Sequence, residues 1–190
     1  MSRPPGMREP TLRLSLPQDG ITDGDVVLRL PTEDDVDGTL VAVADPELRE
    51  AANMPNLGRE EARASIAHLP ALVASGRMLP MTALAAPTGD IVGGGILHHL
   101  DAERAIVEIG YWVLPYARRR GVATQIARLL AEHAFALGVE RVAAYVNVDN
   151  PASERVLERA GFTREGVVRS LPKPDGRRVD KTLFSLLPGE

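Results

Sequence analysis

The hydrophobic period of this chain changes at Gly121, and that change limits the folds open to it. Before it, residues 79–85, 91–98 and 105–114 read as apolar strands, separated by the Pro87-Thr88-Gly89-Asp90 turn and a turn near Asp101. After it, Val122, Ile126, Leu129, Leu130, His133 and Leu137 fall at i, i+4, i+7, i+8, i+11 and i+15, with Gly138 where a helix would end. An antiparallel meander followed by a helix with a long apolar stripe supplies the elements of an α/β (α+β) fold.

The rest of the chain supplies further elements. Residues 1–10, rich in Pro, Gly and Arg, predict a loosely ordered tail, and residues 11–190 a single domain. Leu12, Leu14 and Leu16 alternate with polar residues as in a strand, and residues 26–30 form a second. Thr32 and Asp35 resemble a capping box opening a helix to about Ala44, with Glu33 and Asp34 favourably placed in its first turn. A second helix spans about 59–75, where Pro70 is expected to break or kink it. Residues 141–148 form a strand, Asn150-Pro151 opens a short helix ending at Gly161, and strands near 162–168 and 178–186 finish the chain.

A net charge of -4 gives little attraction for nucleic acid or anionic membranes, and the chain has no cysteine for disulfides, thiolate metal sites or a cysteinyl intermediate. No metal site is expected. No window approaches the roughly 18 apolar residues of a membrane span, so the cytoplasm is the expected location.

The one basic cluster is Arg118-Arg119-Arg120, followed by Gly121-Val122-Ala123-Thr124 at the start of the amphipathic helix. A helix N-terminus presents free N–H groups to an anion, Gly121 permits close backbone approach, Ala123 is small, and the arginines add positive charge. The loop suits a pyrophosphate. A solvated run of charge is the other reading of the arginines alone. No Gly-Lys-Ser/Thr follows, and Gly93-Gly94-Gly95 lacks the pattern of a dinucleotide fingerprint, reading instead as a bulged or closely packed strand.

Residues 107–113 (Val-Glu-Ile-Gly-Tyr-Trp-Val), Pro115-Tyr116 and Arg118-x-x-Gly121-x-Ala123 together resemble the GNAT superfamily of N-acetyltransferases, whose signature is Gln/Arg-x-x-Gly-x-Gly/Ala. Asn150-x-x-Ser153 with residues 156–162 (Val-Leu-Glu-Arg-Ala-Gly-Phe) and the late Gly176, Asp180 and Phe184 resemble its RimJ/RimL-type branch, which acetylates ribosomal-protein N-termini. The resemblance implies a mixed, mostly antiparallel sheet of six to seven strands flanked by about four helices. Its fourth and fifth strands would splay apart, with Tyr111 to Val113 on the fourth. Acetyl-CoA would be the co-substrate, its pantetheine arm pairing with the main chain of Tyr111, Trp112 and Val113, its phosphates on Arg118 to Thr124, with Asn150 adding a contact. Many members carry a Tyr four residues before the helix-ending Gly; here that position is Leu157, so its acid role does not carry over.

An amine attacks a thioester as the neutral base, so the site must take a proton and stabilise an oxyanion. Glu108 is the candidate base: it is the only charged residue between Ile106 and Leu114, and apolar neighbours raise a carboxyl pKa. A solvent-facing or salt-bridged strand residue is the alternative. Glu103, beside Arg104, is the reserve, with an exposed ion pair as its other reading; His98 and His99 could titrate usefully but read more simply as strand-end rim residues, and His133 reads as core. Asn150 is a natural N-cap as well as a candidate cofactor contact. Ser153 could cap locally, whereas the resemblance puts it beside the departing sulfur.

The reading is therefore an acetyl-CoA-dependent N-acetyltransferase acting on a primary amine, of a protein N-terminus or a small molecule. A CoA-binding sensor without turnover and an acyltransferase using a longer acyl group are the alternatives. Acceptor choice is expected to reside in the early helices and loops around 53–59, which carry no recognisable motif, and a homodimer is compatible with everything above.

Overall fold

The computed structural model describes residues 12–52, 54–173 and 175–190; the expected tail at 1–10 lies outside them, as does Asn53. One eight-stranded sheet runs in the order β1-β2-β3-β4-β5-β6-β8-β7. Its strands are β1 (Ile21–Thr22), β2 (Val26–Arg29), β3 (Leu79–Ala85), β4 (Ile91–Asp101), β5 (Ile106–Val113), β6 (Arg141–Asn147), β7 (Thr163–Pro172) and β8 (Arg178–Leu186). The helices are α1 (Val36–Ala44), α2 (Pro46–Ala51), α3 (Arg59–Ala74), α4 (Val122–Ala136) and α5 (Pro151–Ala160), with 3-10 turns at Glu33–Asp35 and Pro115–Ala117. Every pairing is antiparallel except β5 with β6, which is parallel. This is the mixed sheet expected, extended by the two-residue β1 and by α2.

The glycine triplet on β4 sets how closely the layers pack. A Cβ on Gly93 would lie 3.3 Å from Ile126 Cδ1 and one on Gly95 2.9 Å from Leu130 Cδ1, both on α4; one on Gly94 would lie 2.7 Å from the Trp112 ring. Alternation along a strand therefore puts α4 on the face of Gly93 and Gly95, and Trp112 on the opposite face, where it joins Ala42, Leu48 and Leu114 in a second apolar cluster. The main core lies under α4, with Ile126, Leu130, Val107, Leu97 and Phe184 fully buried.

Three local expectations are corrected. Residues 12–16 alternate in burial but join no ladder: Leu14 is 2% exposed and its N–H donates to the Gly76 carbonyl (2.8 Å), while the Ser15 carbonyl lies 2.7 Å from His133 Nε2. The same side-chain period that marks a strand also serves an extended segment clamped by such single bonds, and it makes His133 a tether as well as a stripe residue. Pro70 does not end α3, which continues to Ala74; Pro70 is exposed, so the bond lost at that position leaves a carbonyl that solvent can satisfy. Finally, α2 was not expected, although Asp45-Pro46 announces it: Asp45 Oδ1 accepts from the Glu47 and Leu48 amides (3.0 and 3.1 Å), with Pro46 at the first helical position.

The Thr32–Asp35 element is structural. Asp35 is buried, receives two 2.7 Å bonds from the Arg29 guanidinium, and accepts from the Thr32 amide (2.9 Å) and the Thr82 hydroxyl (2.8 Å). Burial alone would raise its pKa, and these donors together outweigh it and hold the carboxyl below the ordinary value.

Candidate functional site

The paired register of β5 with β6 covers Ile106↔Arg141, Val107↔Val142 and Glu108↔Ala143, although β5 runs on to Val113 and β6 to Asn147. Beyond Glu108 the two strands separate, leaving the β6-facing main chain of Tyr111, Trp112 and Val113 outside any ladder among the described residues. On their other side they pair with Gly95, Gly94 and Gly93. The gap opens into a cleft of about 750 Å³ lined, among others, by Glu108, Tyr111, Trp112, Asn150, Ser153 and Lys181. The meeting of β5 and α5 across this gap joins residues more than forty positions apart in the chain.

Strand periodicity divides the cleft. Glu108, Gly110 and Trp112 share one face of β5, and Ile109, Tyr111 and Val113 the other. Glu108 therefore leaves β5 on the face opposite to Tyr111, although both line the cleft. It sits across from His98 in the β4 register, and its Oε2 lies 3.1 Å from His99 Nδ1. Burial, assisted by the charge of His99, holds His98 below the ordinary imidazole value, so its ring is neutral at neutral pH. Both histidines, for which the sequence allowed useful titration beside an ordinary rim position, belong to the cleft lining.

On the other face, the Tyr111 hydroxyl lies 2.8 Å from Ser153 Oγ and donates to the Ser153 carbonyl at 3.2 Å. The sequence reading confined Tyr111 to a main-chain role. Its phenol in fact reaches the first turn of α5, a contact that only the folding of α5 over the splay creates. Burial pushes the Tyr111 pKa to about 12 despite the Ser153 bond, so it is a neutral donor. Asn150 acts as the helix cap, its Oδ1 accepting from the Ser153 amide (3.0 Å), which leaves the Ser153 hydroxyl free of capping duty. Leu157 is fully buried, in keeping with its lack of a polar role.

The 118–124 loop lies at the start of α4. Arg119 (φ 63) and Gly121 (φ 83) are both left-handed, turning successive amides toward one side as in an anion-binding nest. Among the described residues, the N–H groups of Arg119, Arg120, Gly121, Val122 and Ala123 have no hydrogen-bonded partner. A Cβ on Gly121 would meet nothing within 4 Å. Arg119 and Arg120 are exposed. At the two ends of the loop, the Thr124 amide donates to the Gly121 carbonyl (2.9 Å), closing the first helical turn, and the Arg118 guanidinium is held by Asp45 (2.7 Å) and Glu47 (3.5 Å). Arg118 thus ties the loop to the start of α2, a long-range pairing with no local sequence signal.

Lys181 on β8 was overlooked. It lines the cleft half-buried, and burial together with the charge of Lys173 lowers its pKa, with Glu108 opposing. Glu103, the reserve base, is not among the lining residues, and its neighbour Arg104 pairs with Asp101 at 2.7 Å. Among the described residues no helix is long and apolar enough to cross a membrane.

A family profile described as an acetyltransferase (GNAT) domain matches residues 25–163. The chain is 28% identical over 164 residues to the uncharacterized N-acetyltransferase YoaA of Bacillus subtilis, covering 85% of this chain and 93% of that one. Among solved structures, RimJ of Mycobacterium smegmatis in complex with CoA-disulfide superposes with a TM-score of 0.75 at 25% identity, over 90% of this chain and 84% of that one. The microcin C7 self-immunity acetyltransferase MccE, in complex with acetyl-CoA and AMP, shares the fold at a TM-score of 0.78 and 20% identity, over 91% and 98% of the two chains.

Proposed function

Since the chain belongs to the GNAT acetyltransferase family and is an acyltransferase, we propose that residues 11–190 act as one domain that transfers an acetyl group from acetyl-CoA directly to a primary amine. The observation that carries this reading is the run of unpartnered amides from Arg119 to Ala123, placed at a helix start beside a strand edge that is also unpaired. Pyrophosphate oxygens would accept from those amides, with Arg119 and Arg120 adding charge. Pantetheine amides would pair with the open main chain of Tyr111 to Val113, as an added strand does. RimJ binds a CoA species and MccE acetyl-CoA in the structures named above, which supports the same cofactor here.

In the transfer, the acceptor ammonium loses a proton to Glu108, directly or through a water, and the amine nitrogen attacks the thioester carbonyl. The C–N bond forms as the C–S bond breaks, and the nitrogen releases its second proton to solvent as the amide forms. The thiolate is protonated by solvent or through the Ser153 hydroxyl, which the neutral Tyr111 phenol can orient. Arg118 acts here as a positioning residue, holding the loop through Asp45.

Calorimetry with CoA, followed by thiol release with added amines and N-terminal peptides, tests the reading. Binding and turnover support it; binding without turnover on any amine makes the chain a CoA-binding module, and turnover only with longer acyl-CoA reassigns the donor.

A further inference from the structure

We propose that His98, His99 and Glu108 form a binding site for a first-row divalent cation of the zinc class. On a regular strand two adjacent histidines face opposite sides of the sheet. Here β4 has an irregularity between His98 and Asp101, and His99 sits at φ 50, a left-handed conformation that is costly for a residue with a side chain. That turn brings His99 back to the face of its neighbour. The two rings pack edge to face with centroids 4.4 Å apart, and one candidate ligand atom from each of His98, His99 and Glu108 lies within 4.8 Å of the others.

The donor set suits such an ion. Two imidazoles and one carboxylate are a known zinc ligand combination that leaves a coordination position open. Metal–ligand bonds of about 2.0–2.1 Å in a tetrahedral site separate the ligand atoms by about 3.3 Å. The His99 Nδ1 to Glu108 Oε2 distance is already 3.1 Å. His98 closes the remainder by side-chain rotation over Gly110, where its Nε2 lies 3.8 Å from the position a Cβ would take. Lys181, which lines the same cleft and whose charge bears on Glu108, opposes a cation and weakens its binding.

The site does not depend on the acyl-transfer reading; its consequence does. A bound cation would occupy the Glu108 carboxylate and so inhibit turnover. The test titrates Zn(II) into the metal-free full chain without CoA, in competition with a chromophoric chelator, and repeats it with Co(II), whose four-coordinate complexes absorb strongly in the visible. One equivalent should bind. His98→Gln and His99→Gln should each weaken binding about tenfold or more, and the double variant about a hundredfold or more. His68→Gln, on α3 outside the cleft lining, should leave binding unchanged, and circular dichroism would show that each variant is folded. Wild-type stoichiometry near zero, or unchanged affinity in the folded double variant, overturns the site. Zinc binding lost in the double variant, in a protein that releases no thiol with any amine, keeps the metal site and removes only the inhibition.

Discussion

The Tyr111 hydroxyl and the Ser153 Oγ lie 2.8 Å apart across the splay, joining the open edge of β5 to the first turn of α5. Since Asn150 caps α5 by itself, the Ser153 hydroxyl can be removed without uncapping the helix. Ser153→Ala is expected to slow thiol release by about ten- to a hundredfold, or about 1.4 to 2.7 kcal/mol of barrier. Its melting temperature should stay near wild type. A destabilised variant with full activity would make the pair structural.

Asn150→Ala should do the reverse. Loss of the cap costs about 1 kcal/mol of folding stability, read as a lower melting temperature. CoA affinity measured well below that temperature should hold, and a fall of tenfold or more in the folded variant would give Asn150 a direct cofactor contact.

At the α4 start, Gly121→Glu would set a carboxylate against the pyrophosphate and remove charge-assisted bonds of about 1.5–3 kcal/mol each, so that CoA binding falls by about a hundredfold or more. Gly121→Ala separates charge from conformation. With open space around the added Cβ but φ at +83, it should lose only about 1 kcal/mol of stability to the left-handed backbone. Calorimetry showing equal CoA affinity for wild type and the Glu variant would move the phosphate site elsewhere.

Glu108→Gln is expected to reduce turnover about a hundredfold with acetyl-CoA affinity unchanged, because a base acts on the acceptor. The deficit should narrow at alkaline pH, where more of the amine is already deprotonated. A deficit independent of pH would leave Glu108 a structural partner of His99.

The Asp35 carboxylate makes stability depend on acid. Its folded pKa lies below the unfolded value of about 3.9, so its contribution is fully present above that value and is lost as pH falls through the folded pKa. Asp35→Ala should flatten the melting temperature against pH below about pH 4, and should cost about 3 kcal/mol at neutral pH by stranding Arg29 and Thr82. A variant as acid-sensitive as wild type would place the titration elsewhere.

The sequence by itself determined what depends on near neighbours. The helix at α4 follows from its 3.6-residue stripe, the meander from its turn residues, and the unpaired amides from a glycine at a helix start; the Asn150 cap follows from Asn-Pro. These are local constraints, written within a few residues of where they act. Tertiary structure decided what depends on distant partners. Residues 12–16 have a strand's alternation but find single carbonyls in place of a strand to pair with. Arg118 meets Asp45, and Tyr111 meets Ser153, because the fold brings α2 to the 118–124 loop and α5 to the splay. His99 joins His98 and Glu108 only because the β4 irregularity reverses its face. A pattern of side chains specifies which face is buried, whereas the partner a polar group finds there depends on which remote segment the completed sheet sets against it.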